Sequence, residues 1–254
     1  MKWNRTVAGW LLVGVLALLP VAALAGPQEA KKFEGKVGGK DVSISYLLAL
    51  PADYESQPDR KWPVVYFLHG AGERGDDLNL VKRHGPPRMI EKGHRFDAIV
   101  VSPQCPKDQW WDIATLKALA DDIDANYRVD LSRVYLTGLS MGGFGSFAWA
   151  GDQPWRFAAV APICGGADEK AMQAMAKRQM PLWIFHGDAD QRVSPDKSKQ
   201  AYAWYVDAGG KNGKLTLYPG VGHDSWTKTY ADPQLWVWMF QQQRPKNVRP
   251  PKKK

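Results

Sequence analysis

The chain has 254 residues, 44% of them hydrophobic, with two cysteines, five histidines and a formal charge of +8. Eight cations sit at the two ends with no acid beside them: Lys2 and Arg5 at the start, and six between Arg244 and Lys254. Residues 26–243 therefore sum to zero, which suits one ordinary domain with a sizeable core and excludes a basic nucleic-acid-binding face as the meaning of the charge.

In chain order, Lys2 and Arg5 precede an apolar run from Val7 to Leu19, and Ala23-Leu24-Ala25 forms a small-x-small cleavage site. Residues 1–25 are expected to be a signal peptide. The run is too short and wrongly flanked for a spanning helix, and no cysteine follows to carry a lipid. An exported protein, periplasmic or secreted, without stable membrane insertion is expected. Val42–Leu50 alternates and then ends at Pro51, as a partly exposed strand does. Val64–Leu68 and Ala98–Val101 are continuous apolar runs, the pattern of strands buried on both faces. Apolar residues at 116, 119, 120 and 123 give Thr115–Tyr127 a helical face. Strands are predicted over Val134–Thr137, Phe157–Ala161, Leu182–Phe185 and Lys214–Tyr218. Helices are predicted from Ser140 to about Ala150, then over Glu169–Arg178, Pro195–Ala208 and Pro233–Gln243. Buried strands alternating with helices imply an α/β fold, a parallel sheet covered on both sides, over residues 26–243. Residues 244–254 hold prolines, cations and almost nothing to bury, and are expected to form a disordered tail.

The most informative stretch is Val134-Tyr-Leu-Thr-Gly138-Leu-Ser140-Met-Gly142-Gly143: a strand, a Gly-x-Ser-x-Gly turn and a helix start. Such a turn lifts a serine hydroxyl above the sheet edge and leaves room only for glycine on either side. A nucleophilic serine needs a base, and the base needs a carboxylate. In the order serine, acid, histidine, His223 is the base, since His186 precedes the strongest acid candidates; His186 and His69 are expected to brace their own turns. Asp190 reaches further into its loop than Asp188 and is the favoured acid. The oxyanion would be held by the amides of Met141 and, from the His69-Gly70-Ala71-Gly72 turn, Ala71. Trp110, Trp111 and Trp226 fall in loops at the same sheet edge and are candidates to stack on a substrate ring. Glu73 and Arg74 could pair with each other or hold the substrate's acid, and both readings stay open. A disulfide between Cys105 and Cys164, which export would permit, also stays open.

The segments His69–Gly75, Pro103-Gln-Cys105, Gly138–Gly143, Ala161–Gly165, His186-Gly-x-x-Asp190 and Gly222–Trp226 together resemble the α/β-hydrolase superfamily. Within it they are similar to the secreted esterase and peptidase-like group related to polyhydroxybutyrate depolymerases and feruloyl or acetyl esterases. The resemblance spans roughly residues 40–243. It implies an α/β-hydrolase fold without a large lid domain and a Ser140–Asp190–His223 triad, which strengthens Asp190 over Asp188. It also implies a carboxylic-ester hydrolase acting on short-chain, aryl or carbohydrate esters, with a serine peptidase as the alternative; no cofactor is expected, and no His-Glu-x-x-His or Cys-x-x-Cys spacing suggests a metal site. Two rivals are weaker. Gly70-Ala-Gly72-Glu-Arg-Gly75 matches a dinucleotide-binding fingerprint, but Asp76 and Asp77 would face the pyrophosphate and Gly85-Pro86-Pro87 would break the following helix. A non-catalytic binding protein of the same fold would not need the full set of serine, acid and histidine.

Overall fold

A computed structural model describes residues 28–244; the expected signal peptide and all but the first residue of the expected tail lie outside them. Eight strands form one sheet: β1 (Glu29–Val37), β2 (Lys40–Ala49), β3 (Trp62–Leu68), β4 (Ile99–Pro103), β5 (Val129–Leu139), β6 (Ala159–Ile163), β7 (Leu182–Gly187) and β8 (Gly213–Tyr218). Their spatial order is β1-β2-β4-β3-β5-β6-β7-β8, with β2 antiparallel to both its neighbours, β1 and β4, and every other neighbouring pair parallel. Among the described residues seven α-helices cover the sheet: α1 (Gly85–Glu91), α2 (Ile113–Asn126), α3 (Met141–Asp152), α4 (Glu169–Lys177), α5 (Asp196–Asp207), α6 (Trp226–Ala231) and α7 (Pro233–Gln241).

The strands alternate their side chains between two cores, as the two-residue pleat requires. Val64, Tyr66 and Leu68 of β3 join α2, α3, α4 and α5 on one face, while Val65 and Phe67 join α1 and α7 on the other. All seven β3 residues are buried, which is why this strand reads as an unbroken apolar run. Among the described residues no inserted domain interrupts the connections.

Three elements have no counterpart in the sequence reading. The first is β1, whose exposed, charged residues hide its pairing; Gly38 and Gly39, both at positive φ (56° and 80°), turn it into β2. The second is α1, where Gly85-Pro86-Pro87 opens the helix rather than breaking one. Proline is well placed there, because first-turn N–H groups have no intrahelical acceptor. The third is the six-residue α6, too short to show a period. Arg244, counted with the tail on sequence, is tied to the domain: its N–H donates to Ser132 O (2.8 Å) and its guanidinium to Trp155 O (2.7 Å).

The chain's progress across the sheet reverses at β3, which lies between β4 and β5. Ligands of open α/β sheets bind at such reversals, beyond the carboxyl ends of the strands. Here β3 and β5 run in register, Leu68 opposite Gly138, and the helix after β5 is pressed onto the end of β3. A Cβ on Gly142 would lie 1.9 Å from Leu68 O, and one on Gly138 would lie 2.4 Å from Gly142 O. Backbone cannot yield as a side chain can. Gly142→Ala should therefore lower the unfolding free energy by at least about 3 kcal/mol, whereas Gly72→Ala, in open space, should stay within about 0.5 kcal/mol. Urea denaturation of both variants checks this, and similar midpoints would refute it.

Candidate active site

Ser140 is the single residue between β5 and α3, at φ 52° and ψ −116°. That conformation is strained for any residue with a Cβ. It is held by bonds on both sides, Ser140 N–H to Ile163 O (2.9 Å) and Phe144 N–H to Ser140 O (3.0 Å). His223, on the loop after β8, places Nε2 3.0 Å from Ser140 Oγ and Nδ1 2.7 Å from Asp190 Oδ2. One tautomer satisfies both contacts: Nδ1–H donates to the carboxylate and Nε2 accepts from the hydroxyl. Serine, histidine and acid thus stand in series, which is the arrangement that turns a hydroxyl into a nucleophile.

Asp190 is nearly buried and receives four donors. Oδ1 accepts from the amides of Arg192 (2.8 Å) and Val193 (3.0 Å), and Oδ2 from His223 and from His186 Nε2 (3.2 Å). Burial opposes its charge, yet the hydrogen bonds from His223 and the two amides hold the carboxyl below its ordinary range. Asp188 has a different task. Its Oδ1 accepts from Gly220 N–H (2.7 Å) while Ala189 N–H reaches Val221 O (3.0 Å), so this loop is stitched to the one that carries His223.

His186 is more than a brace for its own turn. It is fully buried, and burial lowers its pKa, so the ring is neutral. Nε2 faces two acceptors, Asp190 Oδ2 and Val193 O (3.0 Å), and must carry the proton. Nδ1 lies 2.7 Å from Ser198 Oγ, whose single proton is shared between that nitrogen and Gly165 O (3.0 Å). The i, i+4 spacing in His186-Gly-x-x-Asp190 was the available signal; its meaning required the loop to curl the acid back over the ring.

On the opposite side of the serine, Ala71 opens a 3-10 turn and Met141 opens α3, so the N–H of each is a first-turn donor without an intrahelical acceptor. The Ala71 turn is held from below. Glu73, buried, accepts from Gly70 N–H (3.0 Å), and His69 Nδ1 donates to Gly70 O (2.6 Å) while its Nε2 accepts from Cys105 N–H (2.9 Å). Burial drives the His69 pKa down to about 4, so it is a neutral strut. Arg74 does not pair with Glu73; it donates to Ala71 O (3.0 Å) and Gln109 O (3.1 Å).

The three tryptophans part company. Trp111 is 8% exposed and braces the turn: its Nε1–H donates to His69 O (3.3 Å), its ring lies 4.7 Å from the His69 ring, and it fills the space above Gly145. The expected stacking on substrate does not suit a ring so enclosed. Trp110 is 65% exposed and meets Phe144 edge-on at 6.2 Å. Trp226 stands edge-on to His223 at 5.2 Å. Cys105 and Cys164 are both buried free thiols, with no disulfide between them. Cys164 offers its sulfur within 4.8 Å of ligand atoms of Asp190 and His223. Those two are committed to each other, and burial pushes the thiol up to about 12, leaving it in the wrong form for a metal ligand.

Comparison with known proteins agrees with this geometry. The Esterase family model, described as Putative esterase, matches residues 41–244. The chain belongs to this family. It is 31% identical to acyl-protein thioesterase 1 of Debaryomyces hansenii, over 66% of this chain and 87% of that protein. It is 28% identical to a probable feruloyl esterase C of Aspergillus terreus over 48% of this chain, spanning 46% of that relative. A crystal structure of a thermostable esterase is similar at 31% identity and a TM-score of 0.72, covering 85% of this chain and 63% of that one. The family, the relatives and the α/β-hydrolase fold make this a serine ester hydrolase.

If His186 steadies and tempers Asp190, deleting its N–H makes the carboxylate more basic and the His223 imidazolium more stable. His186→Leu should raise the acid limb of the kcat/KM profile by about 0.5–1 pH unit, one unit being about 1.4 kcal/mol. His186→Gln, which keeps a donor at the Nε2 position, should leave the limb near its original place. A lower melting temperature with an unmoved limb in both variants would reduce His186 to packing.

Proposed function

We propose that this esterase-family chain is an exported carboxylesterase working through an acyl-enzyme on short-chain, aryl or carbohydrate esters. The observation that carries the chemistry is the 3.0 Å contact between Ser140 Oγ and His223 Nε2, backed by Asp190. Ser140 Oγ attacks the ester carbonyl as its proton passes to His223 Nε2. The carbonyl oxygen becomes an oxyanion facing the amides of Ala71 and Met141, where preorganised donors stabilise it most. The intermediate collapses as the imidazolium gives its proton to the departing alcohol oxygen. Water then attacks the acyl-enzyme by the same route and releases the acid. Asp190 holds Nδ1–H throughout and stabilises the imidazolium without taking its proton.

A ring-bearing substrate is supported by a cleft of about 630 Å³ that begins one helical turn beyond the nucleophile. Phe144 and Trp204 are its aromatic walls, with Asp168, Lys197 and Gln200 as polar groups. Its size is that of small-molecule sites, and aromatic walls with a few polar groups are their usual lining. Exposed Trp110 extends the aromatic surface from Phe144. Relatives named as feruloyl esterases are consistent with an aryl ester. Export rests on the leader pattern alone, and the mature protein should begin at Gly26 by N-terminal sequencing.

Ser140→Ala should abolish hydrolysis of p-nitrophenyl acetate and of methyl ferulate while the protein stays folded, and a phosphonate probe should label Ser140 alone. Label on another serine would sink the assignment. Trp110→Ala should raise KM for the aryl ester roughly 10-fold, aromatic contact and buried area together being worth on the order of 1–2 kcal/mol, with little change on the acetate. Trp111→Ala should instead lower stability and slow both substrates.

A further inference from the structure

A second cleft, of about 240 Å³, lies between α1 and α6 and is not used by the chemistry above. We propose that it is the leaving-group site for esters whose alcohol half is an aromatic hydroxy acid, a phenol carrying a carboxylate. The proposal rests on the serine-esterase reading and adds the chemical class of the alcohol.

Position comes first. His223 hands its proton to the departing oxygen, so the alcohol half of an ester lies on the His223 side of the reacting carbon. The ring bordering His223 is Trp226, edge-on at 5.2 Å, and Trp226 is also a wall of the cleft. Its place is fixed: Nε1–H donates to His84 Nδ1 (3.2 Å), and the two rings meet edge-on at 5.4 Å. Because Nδ1 accepts, the His84 proton sits on Nε2, facing Glu73 Oε1 at 3.8 Å. His84 is thus engaged at both nitrogens, and the charged side chains left to line the cleft are Arg88 and Lys92.

Chemistry comes second. Met89, Trp226, Tyr230 and Ala231 give the cleft an apolar, partly aromatic wall suited to a flat ring. Arg88 and Lys92 are its charged groups, and no acid lines it. Among the described residues neither cation is in an ion pair. Arg88 spends one N–H on Arg83 O (3.0 Å), while the nearby Glu91 carboxylate is taken by Lys82 (3.3 Å) and Gln28 (2.9 Å). An apolar slot ending in two uncompensated cations selects a ligand with an aromatic body and an anionic tip. The guanidinium can grip a carboxylate through two N–H groups and the ammonium adds a point charge.

The test compares 4-acetoxycinnamate, which carries the anion on its leaving group, with neutral 4-methylphenyl acetate. In Arg88→Gln/Lys92→Gln, KM for the anionic ester should rise roughly 5- to 10-fold, the scale of two partly exposed charge contacts, with kcat unchanged. The neutral ester should be hydrolysed as by the parent. The product, 4-hydroxycinnamate, should inhibit the parent competitively, more weakly at high salt, and bind folded Ser140→Ala roughly 5- to 10-fold more tightly than the double variant. Lys92→Glu should weaken the anionic ester further still. Equal KM values for the anionic ester in parent and double variant, an equal loss on both esters, or failure of the parent to turn over the anionic ester while it cleaves the neutral one would overturn the site and leave the esterase reading standing. Failure on both esters would instead strike the esterase reading itself.

Discussion

The contact between Gly142 and the end of β3 is the constraint on which the site depends. Two parallel neighbours, β3 and β5, end at the same level, and the helix leaving β5 must start where the carbonyl of Leu68 already stands. With no methyl group at residue 142, α3 comes close enough to force Ser140 into its strained bend. The same closeness presses the first turn of α3, which Met141 opens, against His69, where the turn carrying Ala71 begins. A looser junction would relax the serine, lower its hydroxyl toward the sheet and separate the two donors. The strain at one residue is thus sustained by packing at another, as strained functional positions require.

Around that bend the titratable groups are arranged so that each proton has one place to be. His69 donates at Nδ1, His84 at Nε2 and His186 at Nε2, and each uses its other nitrogen as an acceptor. Asp190 has no lone pair left without a donor. His186 also faces a hydroxyl, that of Ser198, but both are fully buried; of the two hydroxyls, only that of Ser140, facing His223, belongs to a partly exposed residue. Catalytic electrostatics work best when the surrounding dipoles need not reorganise during the reaction, and this ring of hydrogen-bonded imidazoles and saturated oxygens has little freedom to do so.

The sheet's central strands were legible because burial on both faces leaves an unambiguous signature, and the Ser140 turn because two glycines at fixed offsets have few other uses. His223 followed from chain order. What escaped was whatever depends on the far side of a contact. β1 is a strand by virtue of β2, not of its own exposed residues. Gly85-Pro86-Pro87 reads as a break until the 3-10 turn Leu78–Arg83, which ends just before it, shows that a helix begins there. Trp110 and Trp111 are neighbours of one type, yet one faces solvent and the other lies beneath the oxyanion turn, a difference set by the loop from Cys105 to Asp112. His186 read as a brace for its own turn and Glu73 as a partner of Arg74 or of the substrate, because their actual partners, a carboxylate and an amide, are brought to them only by folding.

The charged hairpin at the margin of the sheet carries one more consequence. β1 presents its outer backbone to solvent, which makes it a template for strand addition. Glu29 with Lys31 (2.7 Å) and Lys32 with Glu34 (2.6 Å) form short ion pairs along that border, and Lys36 reaches Asp41 (3.4 Å). A foreign strand docking there would have to strip water from this row of charges, a cost that backbone hydrogen bonds alone repay poorly. The border thus protects a highly apolar sheet from self-association and amyloid-like growth at the place where it would otherwise be easiest.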